Sequence, residues 1–298
     1  MGLNGLRKSP AALAGALIIT VVSLVALMSI EYGGDAEGPD RPRSFLSRHV
    51  LAYGPHDEDT SIASPPSPPD ARHVLGTDVQ RRDLLSRVLH GTRTSLQIGV
   101  AAEVIALIIG VGVGLAAGYR GGWVDALLMR AADILLALPL PILAMAALAV
   151  FDTRSVALIF IVLGLMGWAG IARLTRSRCR SLSGQLGAEA ALALGAGHLR
   201  VMLRHVLPHA MAPVLVAASV GVAANILVEA WLSFLGLHAP AVSWGRMIVD
   251  ARPDLVLRPW QCIVPGAALA VTVIGFVLLA DGLRDVLDPR ARVAGHIS

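Results

Sequence analysis

Residues 95–118 read SLQIGVAAEVIALIIGVGVGLAAG, a run with one charge, Glu103. A helix rises about 1.5 Å per residue and needs about twenty residues to cross roughly 30 Å of hydrocarbon. This run is therefore long enough to span a bilayer unaided. Residues 11–30 form a second such run, uncharged and preceded by Arg7 and Lys8. A secretory signal would have a shorter apolar core ending at a small-residue cleavage site. Here the run continues through Leu27 and Met28 to Ile30 and Glu31, so it is read as a retained helix. Further apolar runs occupy 134–150, 155–172, 210–228 and 262–280. With their flanking turns, the expected helices are 11–30, 95–118, 126–150, 155–173, 209–236 and 262–281. Pro139, Pro141, Pro213 and Pro265 lie inside or at the ends of these runs, where membrane helices tolerate proline if neighbours satisfy the freed carbonyls.

The rest of the composition agrees. The 298 residues are 55% hydrophobic and 15% charged, where soluble domains carry about a quarter charged residues, and the mean hydropathy is +0.67. Backbone groups in lipid are satisfied only in helices or closed barrels, and runs this long and rich in Leu, Ala and Val are too long for strands. The fold class is an all-α membrane protein of about six transmembrane helices, with membrane lipid as a partner. Cys179 and Cys262 have neither a CxxC partner nor a histidine cluster nearby, so no metal site and no disulfide framework is expected. The pI of about 9.7 reflects arginines placed beside the spans. No basic stripe with interleaved aromatics points to nucleic acid, and no side chains are clustered as in a catalytic site.

Charge beside the spans sets the expected orientation. Between the fourth and fifth spans, Arg173, Arg176, Arg178, Arg180, Arg200 and Arg204 face only Glu189, a formal +5. Such a loop, 174–208, belongs in the cytoplasm. Six spans then put the N-terminus (1–10) and the tail (284–298) on the same side, in agreement with Arg7 and Lys8. Residues 31–94 form a long extracytoplasmic segment. Its stretch Ser64 to Pro69, SPPSPP, reads as extended linker. After Asp78, which can cap a helix, Leu84, Leu85, Val88 and Leu89 recur at helical spacing opposite Arg81, Arg82 and Arg87. That pattern predicts an amphipathic helix at the membrane surface within 77–94, or equally an N-terminal extension of the second span.

Inside the cytoplasmic loop, Gly187 to Leu194 is a good helix former, Gly195-Ala196-Gly197 can supply a left-handed stop, and a second helix starts near His198 and runs towards Pro208. A small-faced, hinged helix of this kind suits docking into a groove of another protein, while composition alone reads the same stretch as an ordinary connecting loop held at the lipid surface by its arginines. Carboxylates within spans are functional candidates by default. Glu229, at the end of span five, reads as an interhelical brace or a substrate contact, and Glu103 is open to the same two roles. Asn225, and Asp133 with Arg130, are weaker pathway candidates. His205 and His209 flank the bilayer surface and have no second-shell pattern of a metal site. A proton-coupled secondary transporter would use Glu103 or Glu229 as a relay, but the halves show no self-similarity of the inverted-repeat kind. A membrane-embedded enzyme would need clustered catalytic groups, and the two glutamates lie on separate helices.

Glu189-Ala190-Ala191, Gly195-Ala196 and Val206-Leu207-Pro208 resemble the EAA signature of bacterial ABC-importer permeases. Other stretches resemble the C-type subunit of the dipeptide/oligopeptide/nickel permease family. These are Leu75-Gly76-Thr77-Asp78 with Arg82 to Arg87, Ala117-Gly118-Tyr119 with Gly121 to Asp125, Leu232 to Leu237, Ser243-Trp244-Gly245, and Asp281 to Asp285 with Leu287 to Arg290. Together they extend from about residue 73 to residue 290, in the family's order. The sequence departs from the pattern at Gly187-Ala188, at Arg82, at Glu103 and in a shortened 237–243 loop.

The resemblance implies a type I ABC importer architecture in the bacterial inner membrane. It implies a second (B-type) permease, two ABC ATPase subunits that bind ATP and Mg, an extracytoplasmic solute-binding protein, and a peptide, or alternatively nickel or another small solute, as cargo. In it, Glu189, Ala190, Ala191, Gly195, Ala196, Leu207 and Pro208 belong to the ATPase-coupling loop. The chain itself has no Gly-x-x-x-x-Gly-Lys-Ser/Thr phosphate loop.

Overall fold

Apolar runs this long fold as helices because only a helix satisfies its own backbone away from water. The computed structural model describes residues 10–29, 53–62, 65–151, 155–184 and 186–287. The expected termini, apart from Pro10 and the end of the last helix, lie outside the described residues, as does all of 31–52. Nine helices organise the described residues: α1 Pro10–Met28, α2 Leu84–Arg120, α3 Gly122–Leu136, α4 Leu140–Leu148, α5 Val156–Ser183, α6 Leu186–Ala193, α7 His198–Phe234, α8 Trp244–Asp250 and α9 Trp260–Leu287. No strand is found among them, only two isolated bridges, Glu58 with Arg82 and Thr77 with Asp83. Five helices are long and apolar enough to cross a membrane, and the bent pair α3–α4 brings the number to six.

One expectation needs correction, and one pair of open alternatives is decided. The third span, expected as one helix over 126–150, is two helices meeting at 86°. Proline causes the break. Pro139 lacks the N–H that would continue the ladder, its ring crowds the preceding turn, and its ψ of 130° sets it outside helical space. Of the two readings of 77–94, the N-terminal extension of the second span is the one found. From Leu84 onward the chain is the beginning of α2, which runs 37 residues without interruption. Asp83 caps that start by accepting from Ser86 N at 2.7 Å, and the helix runs through Gly91 from the arginine-bearing turns into the apolar ones without interruption.

Small residues let the helices close up. Gly110, Gly114 and Gly118 recur every four residues along one face of α2 and lie against α5. A Cβ on Gly114 would sit 2.5 Å from the Ala172 carbonyl oxygen, and one on Gly118 would sit 2.8 Å from that of Arg176. This small-xxx-small register brings backbone against backbone, the usual means of helix association in lipid. Gly275 and Gly282 of α9 likewise receive Ile18 and Ala12 of α1. The helices thus share two ends. The start of α2, the ends of α1 and α7, and the start of α9 meet at one, and the α5–α7 loop and the free ends of α1 and α9 stand at the other.

At the first end a polar knot holds the non-helical segment. Buried His73 places Nδ1 3.0 Å from Asp83 Oδ1 and Nε2 3.3 Å from Asp59 Oδ2. Tyr53 donates to Asp59 at 3.2 Å and packs its ring 4.5 Å from the imidazole. Burial disfavours the imidazolium, but the two carboxylates outweigh it and raise the His73 pKa. The Asp59 carboxyl is held well below the usual range by hydrogen bonds from Ser61, then by His73 and Tyr53. Nearby, buried Arg87 reaches Asp78 and Asp250, each at 3.5 Å, and so fastens α8 to the start of α2.

Candidate functional site

The loop between α5 and α7 is built as its residue types require. Helix α6 ends where Gly195 adopts φ +86°, a left-handed conformation that costs an L side chain about 1–2 kcal/mol. The turn is closed by Gly195 N donating to Leu192 O at 2.9 Å and Ala196 N donating to Ala191 O at 3.0 Å, which satisfies carbonyls at the helix end. Glu189 and Ala190 are exposed, Ala191 and Ala196 half-buried. Leu186 and Leu194 are 85% and 89% exposed at the two ends of the helix. Leu207 and Pro208, the last of the expected loop residues, lie inside α7 rather than in a loop. Proline is accommodated there because the preceding turn, Met202–Val206, is π-helical, with Leu207 N reaching Met202 O. Such turns often mark functional sites in helices.

Contacts that sequence reasoning missed tie this loop to the bundle. Tyr119, at the end of α2, hydrogen-bonds His198 Nδ1 at 2.9 Å, directly after the Gly195 turn. Arg176 and Arg180 of α5 pair with Asp125 of α3, and Arg173 pairs with Asp133. Asp133 thus faces Arg173 and not Arg130 in the ion pairs described. The i, i+4 series Asp125, Met129, Asp133 on α3 was the available signal. His209 Nδ1 turns to its own helix, to His205 O at 2.8 Å.

The buried carboxylates occupy two different settings. Glu103 of α2 accepts from Asn225 Nδ2 of α7 at 3.1 Å, and Gly221 makes room for it, since a Cβ there would overlap the carboxylate. The two candidates form one interhelical pair. Glu229, 1% exposed, lies near the end of α7, where its Oε1 accepts from Ser233 at 3.0 Å and from Ser243 at 2.8 Å. Ser243 is also the N-cap of α8, and Trp244 continues the joint by donating from its backbone to Ser95 Oγ and from Nε1 to Val88 O. Glu229 therefore stands at the junction of α7, α8 and α2.

These elements have counterparts in known proteins. The sequence pattern of the binding-protein-dependent transport system inner membrane component matches residues 110–293. Over 288 residues, 96% of this chain and 88% of the relative, the sequence is 35% identical to the oligopeptide transport system permease protein OppC of Bacillus subtilis. The chain belongs to the binding-protein-dependent inner membrane permease family. This permease is also 35% identical over 289 residues to the dipeptide transport system permease protein DppC of Alkalihalophilus pseudofirmus, covering 96% of this chain and 88% of that one. It is 38% identical over 226 residues, 75% of each chain, to the glutathione transport system permease protein GsiD of Pectobacterium atrosepticum. It is a multi-pass inner membrane protein and a transport subunit. The family match begins inside α2 and takes in the whole α5–α7 loop, Asn225 and Glu229.

Proposed function

We propose that this permease forms half of the translocation pathway of an ATP-driven peptide importer. The other half would be a second, B-type permease. Two ABC ATPase subunits, holding ATP and Mg, would drive it, and an extracytoplasmic binding protein would deliver the peptide. The observation that carries this reading is α6, a short helix with exposed leucines at both ends, a left-handed glycine stop and the residues of the EAA signature. It has the form of a segment meant to seat in another protein. Closure of the ATPases would move α6 as a unit. The Gly195 turn, the Tyr119–His198 contact and the π-helical start of α7 would pass that motion into the bundle.

The charge beside the spans supports an orientation. The arginine-rich loop end belongs in the cytoplasm, and the free ends of α1 and α9 stand at that end too. The relatives are named for oligopeptide, dipeptide and glutathione transport, which favours peptide over nickel as cargo. Of the intramembrane candidates, the Glu103–Asn225 pair lies between α2 and α7, and Glu229 serves as a brace at the mouth.

The test is to express this chain with a B-type permease, ABC ATPase subunits and a binding protein from the same source and to purify through a tag on this subunit. ATPase activity should co-purify and rise with peptide-loaded binding protein. Glu189→Lys should abolish the rise while all subunits still assemble. Transport driven by a proton gradient in the absence of any associated ATPase would overturn the proposal.

A further inference from the structure

Between α8 and α9 the chain makes a compact turn, in which Arg258 N donates to Asp254 O at 2.8 Å and Asp254 N to Ala251 O at 3.2 Å. Three consecutive apolar residues project from it: Leu255 half-exposed, Val256 92% exposed and Leu257 78% exposed. Such a run is costly in water. It stands beside apolar surface that already belongs to membrane-crossing helices, since Trp231 and Phe234 are exposed at the end of α7 and Ile263 at the start of α9. Arg252 lies over the Phe234 ring, 4.8 Å from its centroid, and Arg258 closes the other side of the turn. Among the described charges of this region, Arg246, Arg252 and Arg258 outnumber Asp250 and Asp254, and Arg246 is matched by Asp250 at 3.9 Å.

We infer that Arg252 to Arg258 is a membrane-surface anchor. Leu255, Val256 and Leu257 enter the boundary between headgroups and acyl chains, and Arg252 and Arg258 meet lipid phosphates. Three observations select lipid as the occupant. The turn sits at the level where α7 ends and α9 begins, which is where aromatic and cationic side chains gather at a bilayer surface. The turn leads directly into α9, where Ile263 is exposed, and its first residue, Arg252, covers the exposed Phe234 of α7. Its excess charge is positive, the complement of phosphate. The turn's own hydrogen bonds also leave fewer backbone groups to desolvate. Because α8 runs straight into this turn, the anchor fixes α8 and the Glu229–Ser243 junction at the bilayer surface. The inference needs only that α7 and α9 cross the membrane and is independent of the cargo.

The experiment places a nitroxide on Val256→Cys in a Cys179→Ala, Cys262→Ala background. The assembled importer is held in nanodiscs of phosphatidylethanolamine and phosphatidylglycerol, and the signal of the same complex without Val256→Cys is subtracted. Collision rates with oxygen, which concentrates in lipid, and with a water-soluble nickel chelate are then compared. The anchor requires oxygen collisions to exceed chelate collisions, with no change when loaded binding protein is added. Dominant chelate collisions would show a turn standing in water. A label shielded from both reagents, or newly immobilised by the binding protein, would show a protein partner. Either result overturns the inference.

Discussion

Replacing Gly195 separates backbone conformation from packing, because a Cβ added there meets no atom within 4 Å while φ stands at +86°. Any effect of Gly195→Val within this chain therefore arises from the left-handed backbone alone. That strain is worth about 1–2 kcal/mol, and a β-branched side chain tolerates the region least. One or two kcal/mol changes a two-state population by roughly five- to thirty-fold, so the closed turn that presents α6 would be depleted by about that factor. Asparagine enters left-handed space readily and serves as the control. The assay is ATPase stimulation by loaded binding protein in the assembled importer, with co-purification confirming assembly. Gly195→Val should lose most of the stimulation and Gly195→Asn should keep most of it. Equal activity of the valine and glycine forms would refute the reasoning. So would an asparagine form as defective as valine, because space and not φ would then be what matters.

Gly114→Leu should lower the thermal midpoint of the detergent-solubilised chain, since overpacking costs about 1–3 kcal/mol, whereas Gly112→Leu, with open space at its Cβ, should leave it near the parent value. Glu229→Leu leaves the Ser233 and Ser243 hydroxyls without their acceptor, a loss of about 1–3 kcal/mol for each buried group left unsatisfied. Glu229→Gln keeps a carbonyl oxygen and should be the milder change, and a substrate contact that needs the charge would reverse that order in uptake. For the His73 knot the sign is set by the direction of each shift. A raised histidine contributes stability fully below its ordinary value of about 6.5 and loses it as pH rises through the folded value. A lowered Asp59 contributes above its ordinary value of about 3.9 and loses it on acidification. Hydrogen-exchange protection over residues 53–83, taken relative to the intrinsic rate at each pH, should therefore be greatest between those ordinary values and lower on either side, and His73→Gln should flatten the alkaline limb.

Helix type and number were legible because length and apolarity decide them in lipid. The 11–30, 155–173 and 262–281 runs reappear as α1, α5 and α9 with shifted ends. What periodicity could not show was where a helix bends or fails to stop. The five residues 90–94, between the leucine-rich 84–89 turns and the apolar run from 95, are mostly polar and include Arg93, which looks like a boundary, yet nothing there breaks the ladder. The prolines at 139 and 141 could be tolerated or not, and only the packing of α4 on α5 settles it. The Glu103–Asn225 and Tyr119–His198 pairs join residues 122 and 79 positions apart, a distance across which one sequence carries no signal. The glycine series 110, 114, 118 stands in the sequence, but its partner, α5, does not show there.

Helix α2, at 37 residues, is about 55 Å long, nearly twice the hydrocarbon it must cross. Its first residues are seated in the His73–Asp83 knot and its last turn is joined through Tyr119 to His198. No proline or π-turn interrupts it, so it acts as a lever arm. A 10° tilt about its midpoint would carry each end roughly 5 Å in opposite directions for a rod of that length. Anything that rocks one tip must displace the other, and the two faces of the membrane share a mechanical coordinate without any signal being relayed from side chain to side chain.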